Sequence, residues 1–317
     1  MPVYLIDESI HERIEPPAGD VNGLLWFDLE RDSPGLSETL RSIPGVNIDE
    51  RHLVDLANPE HPPFSDITDD YELLIVRTPK AGDPDIAPAT EPVAFITSNK
   101  ILISVRPKGH PVFEGAKKRL LGRRRALPAS IVDLMALLLN DVGDRLLALR
   151  DPIFDKLDEW QNALLDDKSD FQEWTEVLKL RRALRRLSSF TGNSLDALDR
   201  WRAELDQELS QAQVVRLNDV SEHFGRFSRQ AAGLNEDLSA LIQVHFSVSG
   251  QRTNSVMQVL AVISAIFLPL NLVASMFGMN FENLPLIKWE WGFALAMTAM
   301  VLSAGVTLWW FRRLRWF

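Results

Sequence analysis

The sequence predicts an α/β domain, then an all-α stalk region and two C-terminal transmembrane helices. Three observations support this prediction. Short apolar segments bounded by Gly, Pro and Asn fill the first 130 residues. From Ser130 onward the apolar residues follow helical spacing. Two hydrophobic runs near the C-terminus contain no charged side chain, and each is long enough to cross a bilayer.

These patterns divide the chain into six predicted segments. They are an α/β domain (1–130), a helical stalk region (131–255), a first transmembrane helix (256–277), a connecting loop (278–291), a second transmembrane helix (292–311) and a basic tail (312–317). The beginning of the sequence has no basic-then-apolar signal peptide, so we expect the first two segments to be cytoplasmic.

Composition limits the chemistry. Of the 317 residues 46% are hydrophobic, and none is cysteine, which excludes disulfides and thiolate metal sites. The net charge is -10. After Ser255 there are four basic and two acidic residues, so the part of the chain before it carries -12. An acidic body suits cation attraction and equally suits simple solubility.

In the α/β domain, four segments are predicted to be strands, two to be helices and two to be loops. The strands are Gly23–Leu29, Tyr71–Thr78, Val93–Thr97 and Lys100–Arg106. The helices are Leu36–Ser42, opened by Ser33-Pro34 as N-cap and first residue, and Ile48–Leu56. The loops are Pro59–Phe64 and Ala81–Pro92. This alternation predicts a partly parallel sheet covered by helices.

A basic cluster lies near the end of this domain, at 117–119 and 123–125. Neither interleaved aromatic residues nor a helix-turn-helix pattern accompanies it, and the body is acidic, so no nucleic-acid partner is predicted. We interpret the cluster as the solvated face of a helix. The next helices are predicted at 131–165, 171–191 and 194–211, with breaks at Asp151-Pro152 and Thr191-Gly192.

One stripe along the first apolar run combines polar, small and apolar side chains. Steps of three and four residues give Asn254, Met257, Ala261, Ser264, Leu268, Asn271, Ser275 and Gly278, a stripe about 100° wide. We call this the polar stripe. An uncompensated amide in hydrocarbon costs several kcal/mol, so its asparagines should face water or protein. The spacing fits a pore wall, and it also fits a helix-packing face, which is the interpretation that spacing alone favours.

The same steps taken backwards, through Glu236, Arg229 and Glu222 to Asp219, meet only small, polar or charged residues. A separate apolar stripe runs from Val220 to Val248. A single polar face cannot surround an axis, so a pore would require a cyclic homo-oligomer. The second span is flanked by Trp residues, and the arginines after it place both termini in the cytoplasm by the positive-inside rule.

The residues between the two spans carry a resemblance to a family. The segment reads PLNLVASMFGMNFENLPLIKWEWGF. It resembles the CorA family of divalent cation transporters, in which Tyr-Gly-Met-Asn ends the first of two membrane helices and a Met-Pro-Glu-Leu loop follows. Gly278, Met279 and Asn280 match this motif, and Phe277 replaces its Tyr. A weaker resemblance extends over almost the whole chain.

This resemblance implies a pentamer in the cell inner membrane that conducts Mg²⁺, with ion entry at Gly278, Met279 and Asn280. It also places Leu260 in the pore, together with Asn254, Met257, Ser264, Leu268 and Asn271. Counted back without gaps, Asp219 falls where CorA-like proteins hold a regulatory Mg²⁺ between subunits, and Glu222 lies near it. Intracellular Mg²⁺ bound there would keep the oligomer closed. The alternative for Asp219 is an exposed acid on a helix.

Three departures from the CorA pattern keep a second cation open. Leu286 replaces the Glu of the loop, Asn271 stands where Thr is usual, and Leu268 where Met is common. These departures allow the ZntB branch, which resembles CorA in fold and moves Zn²⁺ with protons. Met279 favours Mg²⁺, because ZntB usually has Val there. A membrane-anchored regulatory protein without conduction is a further alternative. The six His make no metal-ligand spacing and no catalytic set or cofactor motif is visible, so we predict neither an enzyme nor a cofactor.

Overall fold

The computed structural model describes residues 2–7, 10–13, 23–83, 85–122, 127–165, 171–205, 209–279 and 289–314. The chain forms two compact units, Met1–Ser239 and Ala240–Phe317, which are treated separately below.

The first unit contains a sheet of seven described strands in the order β2-β1-β3-β7-β6-β5-β4. Neighbouring strands are antiparallel except β3 and β7, which run parallel with Glu30 opposite Arg106. The strands are β1 (Val3–Ile6), β2 (Ile10–Arg13), β3 (Leu24–Glu30), β4 (Phe64–Ile67), β5 (Glu72–Pro79), β6 (Thr90–Ser98) and β7 (Ile101–Arg106). The prediction of a partly parallel sheet is confirmed for this one pair.

Eight helices are found in the described residues. They are α1 (Leu36–Arg41), α2 (Glu50–Ala57), α3 (Pro111–Leu121), α4 (Ile131–Leu147), α5 (Arg150–Leu165), α6 (Trp174–Ala203), α7 (Gln211–Phe277) and α8 (Gly292–Arg313). The observed order, an α/β part and then helices only, agrees with the predicted fold class.

The sheet is covered on both faces. On one face Phe27 and Leu29 of β3 join a buried core with Leu36 and Leu40 of α1. On the other, the Phe113 ring of α3 stacks on Phe95 of β6, with 6.1 Å between ring centroids. Helices α4 and α6 also contact β5. Successive side chains of a strand point to opposite faces of the sheet. The helix that follows β3, α1, therefore packs on one face, and the helix that follows β7, α3, packs on the other.

Three strands were not predicted. β1 and β2 are four residues each and pair with each other and with β3. β4 begins at Phe64, where a loop was expected, and pairs with β5. Such short segments carry too little periodicity to be recognised, and partners distant in sequence supply their hydrogen bonds.

The predicted range of α1 begins correctly at Leu36, but the predicted N-cap and first helical residue, Ser33 and Pro34, were wrong by two residues. Gly35, not Ser33, precedes the helix, and it has φ 75°, a left-handed conformation that glycine adopts without strain.

Of the two predicted helix breaks, the first lies three residues earlier than predicted, between Leu147 and Arg150, and the second was wrong. Asp151 and Pro152 lie in the first turn of α5, where proline fits because no intrahelical hydrogen bond is lost. α6 continues through Thr191 and Gly192. The Thr191 hydroxyl donates to the Leu187 carbonyl (2.7 Å), and a Cβ at Gly192 would lie 3.8 Å from the Ser228 hydroxyl of α7. Gly192 is therefore a packing residue between α6 and α7.

The first part of α7 is anchored within its own unit. Its buried side chains recur at helical spacing: Leu217, Val220, Phe224, Phe227, Ala231, Leu234 and Leu238. Polar contacts hold its N-terminal turns to α4, with Gln213 donating to the Ser130 hydroxyl (2.8 Å) and Arg216 pairing with Asp133. The predicted apolar stripe therefore packs on the rest of this unit.

The second unit consists of the remaining part of α7 and of α8 in its described residues. Both helices are long and apolar enough to cross a membrane. Only 6% of the most apolar stretch of α7 and 11% of that of α8 is buried. A core helix of a soluble protein would be mostly buried, so this exposure favours a membrane setting.

Candidate functional site

The six residues proposed for a pore wall share one property: in this chain all of them are exposed. They are Asn254, Met257, Leu260, Ser264, Leu268 and Asn271, all on α7. Pro269 lies within the same helix. The described residues of a single chain do not enclose a pore, so the pore assignment of these six residues stays a prediction.

The polar side chains of the stripe differ in whether the chain supplies them with a hydrogen-bond partner. The Ser264 hydroxyl donates to the Leu260 carbonyl one turn earlier (2.9 Å). The amides of Asn254 and Asn271 have no hydrogen-bond partner in the described part of the chain. An amide placed in hydrocarbon without partners costs several kcal/mol. These two asparagines therefore need water, an ion or another chain, whereas the serine does not.

Part of the stripe lines a groove of about 630 Å³ in the second unit. Ser264, Leu268 and Asn271 contribute to its wall, together with Phe267 of α7 and Met300 of α8. The groove is largely apolar, and Asn271 is its one amide. In a membrane this surface must be covered by lipid or by protein.

The Gly-Met-Asn segment begins where α7 ends. The Gly278 amide N–H donates to the Ala274 carbonyl (3.0 Å), and a Cβ at this position would lie 3.3 Å from that oxygen. This tight spacing favours glycine. Met279 is half exposed. Asn280, the third residue of the motif, and the loop with Leu286 lie outside the described residues.

Asp219 and Glu222 lie on the exposed face of α7 in the first unit. Asp219 has no ion pair in the described part of the chain, and Glu222 pairs with Arg226 one turn later (3.2 Å). Among the described residues no group of three or more His, Cys, Asp or Glu could hold a metal ion. A cation bound at Asp219 would therefore need ligands from another chain or from water.

A buried ion cluster in the first unit was not predicted from the sequence. Arg106 donates to both carboxylate oxygens of Asp28 (2.8 and 2.7 Å), and the Lys117 ammonium lies 3.1 Å from the same carboxylate. Burial lowers the pKa of Arg106, but hydrogen bonds to Asp28 and the charges of Asp28, Glu114 and Glu30 leave it raised overall. The one sequence signal for this cluster was the alternation of side chains along β3, which puts the charged Asp28 on the same face as the apolar Trp26.

The expectation that the basic cluster is a solvated helix face holds for the exposed Lys118 but not for Lys117 and Arg119. The Lys117 side chain is 12% exposed, because it is held between Asp28 and Glu114, and Arg119 pairs with Asp141. Residues 123–125 lie outside the described part of the chain.

Comparison with known proteins decides the family. Residues 21–313 match the family described as CorA-like Mg2+ transporter protein. The chain belongs to this CorA family. The resemblance seen in the C-terminal motif is thus confirmed over most of the chain.

Relatives and solved structures agree with this result. The cobalt/magnesium transport protein CorA of Thermotoga maritima is 23% identical, over 99% of this chain and 92% of its own length. The complete structure of the CorA magnesium transporter from Methanocaldococcus jannaschii superposes with a TM-score of 0.85 at 20% identity, covering 100% of this chain and 99% of that one. The fold class of a soluble α/β domain, a long helix and two apolar C-terminal helices is confirmed.

The ZntB cytoplasmic domain from Vibrio parahaemolyticus also superposes, with a TM-score of 0.64 at 15% identity, over 79% of this chain and 98% of that one. At this identity the match concerns the fold alone. It is compatible with either cation.

Proposed function

We propose that this protein carries divalent cations across a membrane, with Mg²⁺ as the first candidate. The observation that carries the proposal is the exposed polar stripe of α7, which leads directly into Gly278 and Met279 in a chain of the CorA family. Its apolar members alternate with amides that find no partner within the described chain.

The chemistry of the stripe suits a hydrated cation. Mg²⁺ gives up its inner-shell water reluctantly, so amide and backbone carbonyl oxygens can hold it through its waters. Asn280 and the Gly278 carbonyl would form the entrance, and Asn271, Ser264 and Asn254 would bind the hydrated ion further along. Leu268, Leu260 and Met257 would form an apolar constriction that closes by dewetting.

The proposal requires more than one copy of the chain. One helix presents one face, and a closed wall forms when several identical faces surround an axis. We therefore propose a cyclic homo-oligomer, a pentamer by analogy with the family. The exposed apolar surface of α7 and α8 would be covered by lipid and by neighbouring copies.

The membrane arrangement follows from charge. Arg312 and Arg313 end α8, and basic residues beside a membrane span favour the cytoplasmic side. With two spans, both termini would lie in the cytoplasm and the loop after Met279 on the outside. We propose the cell inner membrane as the location.

We further propose that intracellular Mg²⁺ regulates conduction at Asp219 and Glu222. Both side chains are exposed, and among the described residues of one chain they lack the partners that a metal site needs. Mg²⁺ bound between neighbouring copies would stabilise the closed oligomer, and its loss at low Mg²⁺ would favour the open one.

Uptake into liposomes that contain the purified protein tests the function. Mg²⁺ and Zn²⁺ are compared, each with and without an imposed pH gradient. The proposal predicts Mg²⁺ uptake that is indifferent to the gradient and lost in Asn280→Ala. Zn²⁺ uptake that rises with the proton gradient would instead assign a ZntB-like transporter, as the departure at Leu286 allows. Uptake of neither ion would favour a membrane-anchored regulatory protein.

A matched pair of variants tests the pore assignment. Leu260→Asn places an amide in the proposed constriction, and Val259→Asn places the same amide one residue away on another face of α7. Both positions are about half exposed in the single chain. We expect a leak of several-fold in Leu260→Asn and none in Val259→Asn. Equal leaks would show that the amide acts through general disruption of the helix.

A further inference from the structure

A crevice in the first unit lies at the carboxyl ends of β3 and β7, the parallel pair of the described sheet. β3 leads to α1 on one face of the sheet, and β7 leads to α3 on the other. Where neighbouring parallel strands send their connections to opposite faces, a crevice opens outside the strand ends. Open α/β sheets characteristically bind ligands at this position.

The crevice has a volume of about 540 Å³, which is within the range of small-molecule sites. Glu30 and Arg106 lie at the two strand ends, Thr39 belongs to α1, and Glu114 and Lys117 belong to α3. Tyr4, Pro2 and Leu36 add apolar surface. The crevice thus combines charged groups with an apolar wall.

The two cationic side chains of the crevice already bind its carboxylates. Arg106 donates to Asp28 through two nitrogens, to Glu30 (3.4 Å), to Glu114 (3.1 Å) and to the Pro107 carbonyl (3.1 Å). Five N–H groups are all that a guanidinium has. The Lys117 ammonium contacts Asp28 and Glu114. Arg106 therefore has no N–H left for an anion, and Lys117, whose side chain is 12% exposed, has one.

Three carboxylates, by contrast, retain unused acceptors. Glu12, Glu30 and Glu114 each use one oxygen, and the other has no partner in the described part of the chain. The Glu30 and Glu114 side chains are 33% and 45% exposed. With Asp28, the crevice has four carboxylates against two cations, so its net charge is negative. The hydroxyls of Ser33 and Thr39, which also line the crevice, can donate as well as accept, so the negative charge is what selects the ligand.

A ligand for this crevice must therefore be cationic and rich in N–H donors. A single metal ion does not fit, because no three acidic or His side chains of the described chain are arranged to hold one. The unused acceptors belong to β2 (Glu12), to the end of β3 (Glu30) and to α3 (Glu114), and Pro2 and Leu36 add apolar surface beside them. We propose that the crevice binds an aliphatic polyamine, whose ammonium groups pair with Glu30, Glu114 and Glu12 while its methylene chain lies on Leu36 and Pro2.

The test measures the binding of spermidine to the full chain in detergent by isothermal titration calorimetry. We expect one saturable site per chain. The double variant Glu30→Gln, Glu114→Gln should weaken binding at least tenfold, since it removes two charges and retains the side-chain shape. Glu38→Gln is the matched control: Glu38 is exposed on α1 and does not line the crevice, and its loss should change affinity less than twofold.

A steric variant protects the test if the double variant does not fold. Thr39→Phe fills the crevice and leaves the ion cluster intact, and it too should weaken binding at least tenfold. The proposal is overturned by the absence of saturable binding, by equal weakening in Glu38→Gln, or by unchanged affinity in Thr39→Phe. Competition by Mg²⁺ beyond the effect of matched ionic strength would also overturn it, in favour of a metal site. None of these outcomes depends on transport.

Discussion

The two halves of α7 contrast sharply, although one helix contains both. From Gln211 to Ser239 every third or fourth residue is buried, and several of these side chains are large. From Ala240 to Phe277 only Leu241 and Val262 are buried, while Phe246, Phe267 and Leu268 are each more than 60% exposed. The structure describes all residues of both halves.

This contrast separates two ways of satisfying an apolar helix face. In the first half the chain itself covers the face, so the helix is stabilised by ordinary core packing. In the second half apolar residues lie all round the helix, and most of them have no cover within the described chain, so they require lipid or other copies. Polar residues also differ between the halves. Water can solvate the exposed charges of the first half, whereas the amides of the second half need water, an ion or another chain as hydrogen-bond partner.

The largest expected difference between the halves concerns stability. Phe224→Ala removes a fully buried ring and should destabilise the first unit by about 3–5 kcal/mol. Phe267→Ala removes a ring of the second unit that is 63% exposed, and it should change the stability of the first unit by less than about 0.5 kcal/mol. Urea unfolding of the detergent-solubilised chain, followed by far-UV circular dichroism, measures both. Similar losses in the two variants would contradict the contrast.

The next largest difference concerns the dependence of stability on pH, which we expect for the first unit and not for the second half of α7. His110 of the first unit is fully buried, neither ring nitrogen has a hydrogen-bond partner in the described chain, and Glu91 is 4.0 Å away. Burial, with Arg145 and Arg106 nearby, lowers its pKa from 6.5 to about 3. The unfolded chain therefore binds the proton first, and stability falls as pH drops from about 6.5 towards 3.

Between pH 7 and pH 5 we expect a loss of roughly 2 kcal/mol from His110. His110→Phe should remove this loss and be no less stable at pH 7, because a ring without nitrogens leaves nothing unsatisfied. Burial raises the pKa of Glu91, which gives an opposite slope, so the difference between wild type and variant is the quantity to measure. The segment 240–279 contains no acidic residue and one His, so its helicity should not depend on acid. A wild type and variant with parallel pH profiles would contradict the assignment.

The sequence allowed better prediction of the second half than of the first unit. Charge-free length and the spacing of Asn254 and Asn271 are local signals, and they are sufficient to identify the apolar helices. β1, β2 and the continuity of α6 through Thr191-Gly192 depend on partners distant in sequence, such as Ser228. The Asp28 cluster depends on which strand lies beside β3, and no local pattern reveals that.

A third effect tests whether amides and hydroxyls of the polar stripe differ in function. Asn271→Leu removes an amide without a partner in the described chain, and under the proposed function it should reduce Mg²⁺ uptake about tenfold. Ser264→Ala removes a hydroxyl that donates to its own helix, so uptake should change less than threefold. The unfolding of the first unit should be unchanged in both. Equal losses of uptake would mean that the stripe does not act through its amides.

The smallest effect concerns the exposed face of the first half. If Mg²⁺ binds at Asp219 between copies, millimolar Mg²⁺ should stabilise the assembled protein by about 1 kcal/mol or more, by mass action on the bound state. Asp219→Asn should abolish this gain and leave stability without Mg²⁺ within about 0.5 kcal/mol. Asp237→Asn is the matched control, since Asp237 is an exposed acid on the same half of α7. Thermal melts with and without Mg²⁺ distinguish the two. A Mg²⁺ response that falls equally in both variants would reduce Asp219 to one contributor to a general acidic field, and the face would then be solvated like any other charged helix surface.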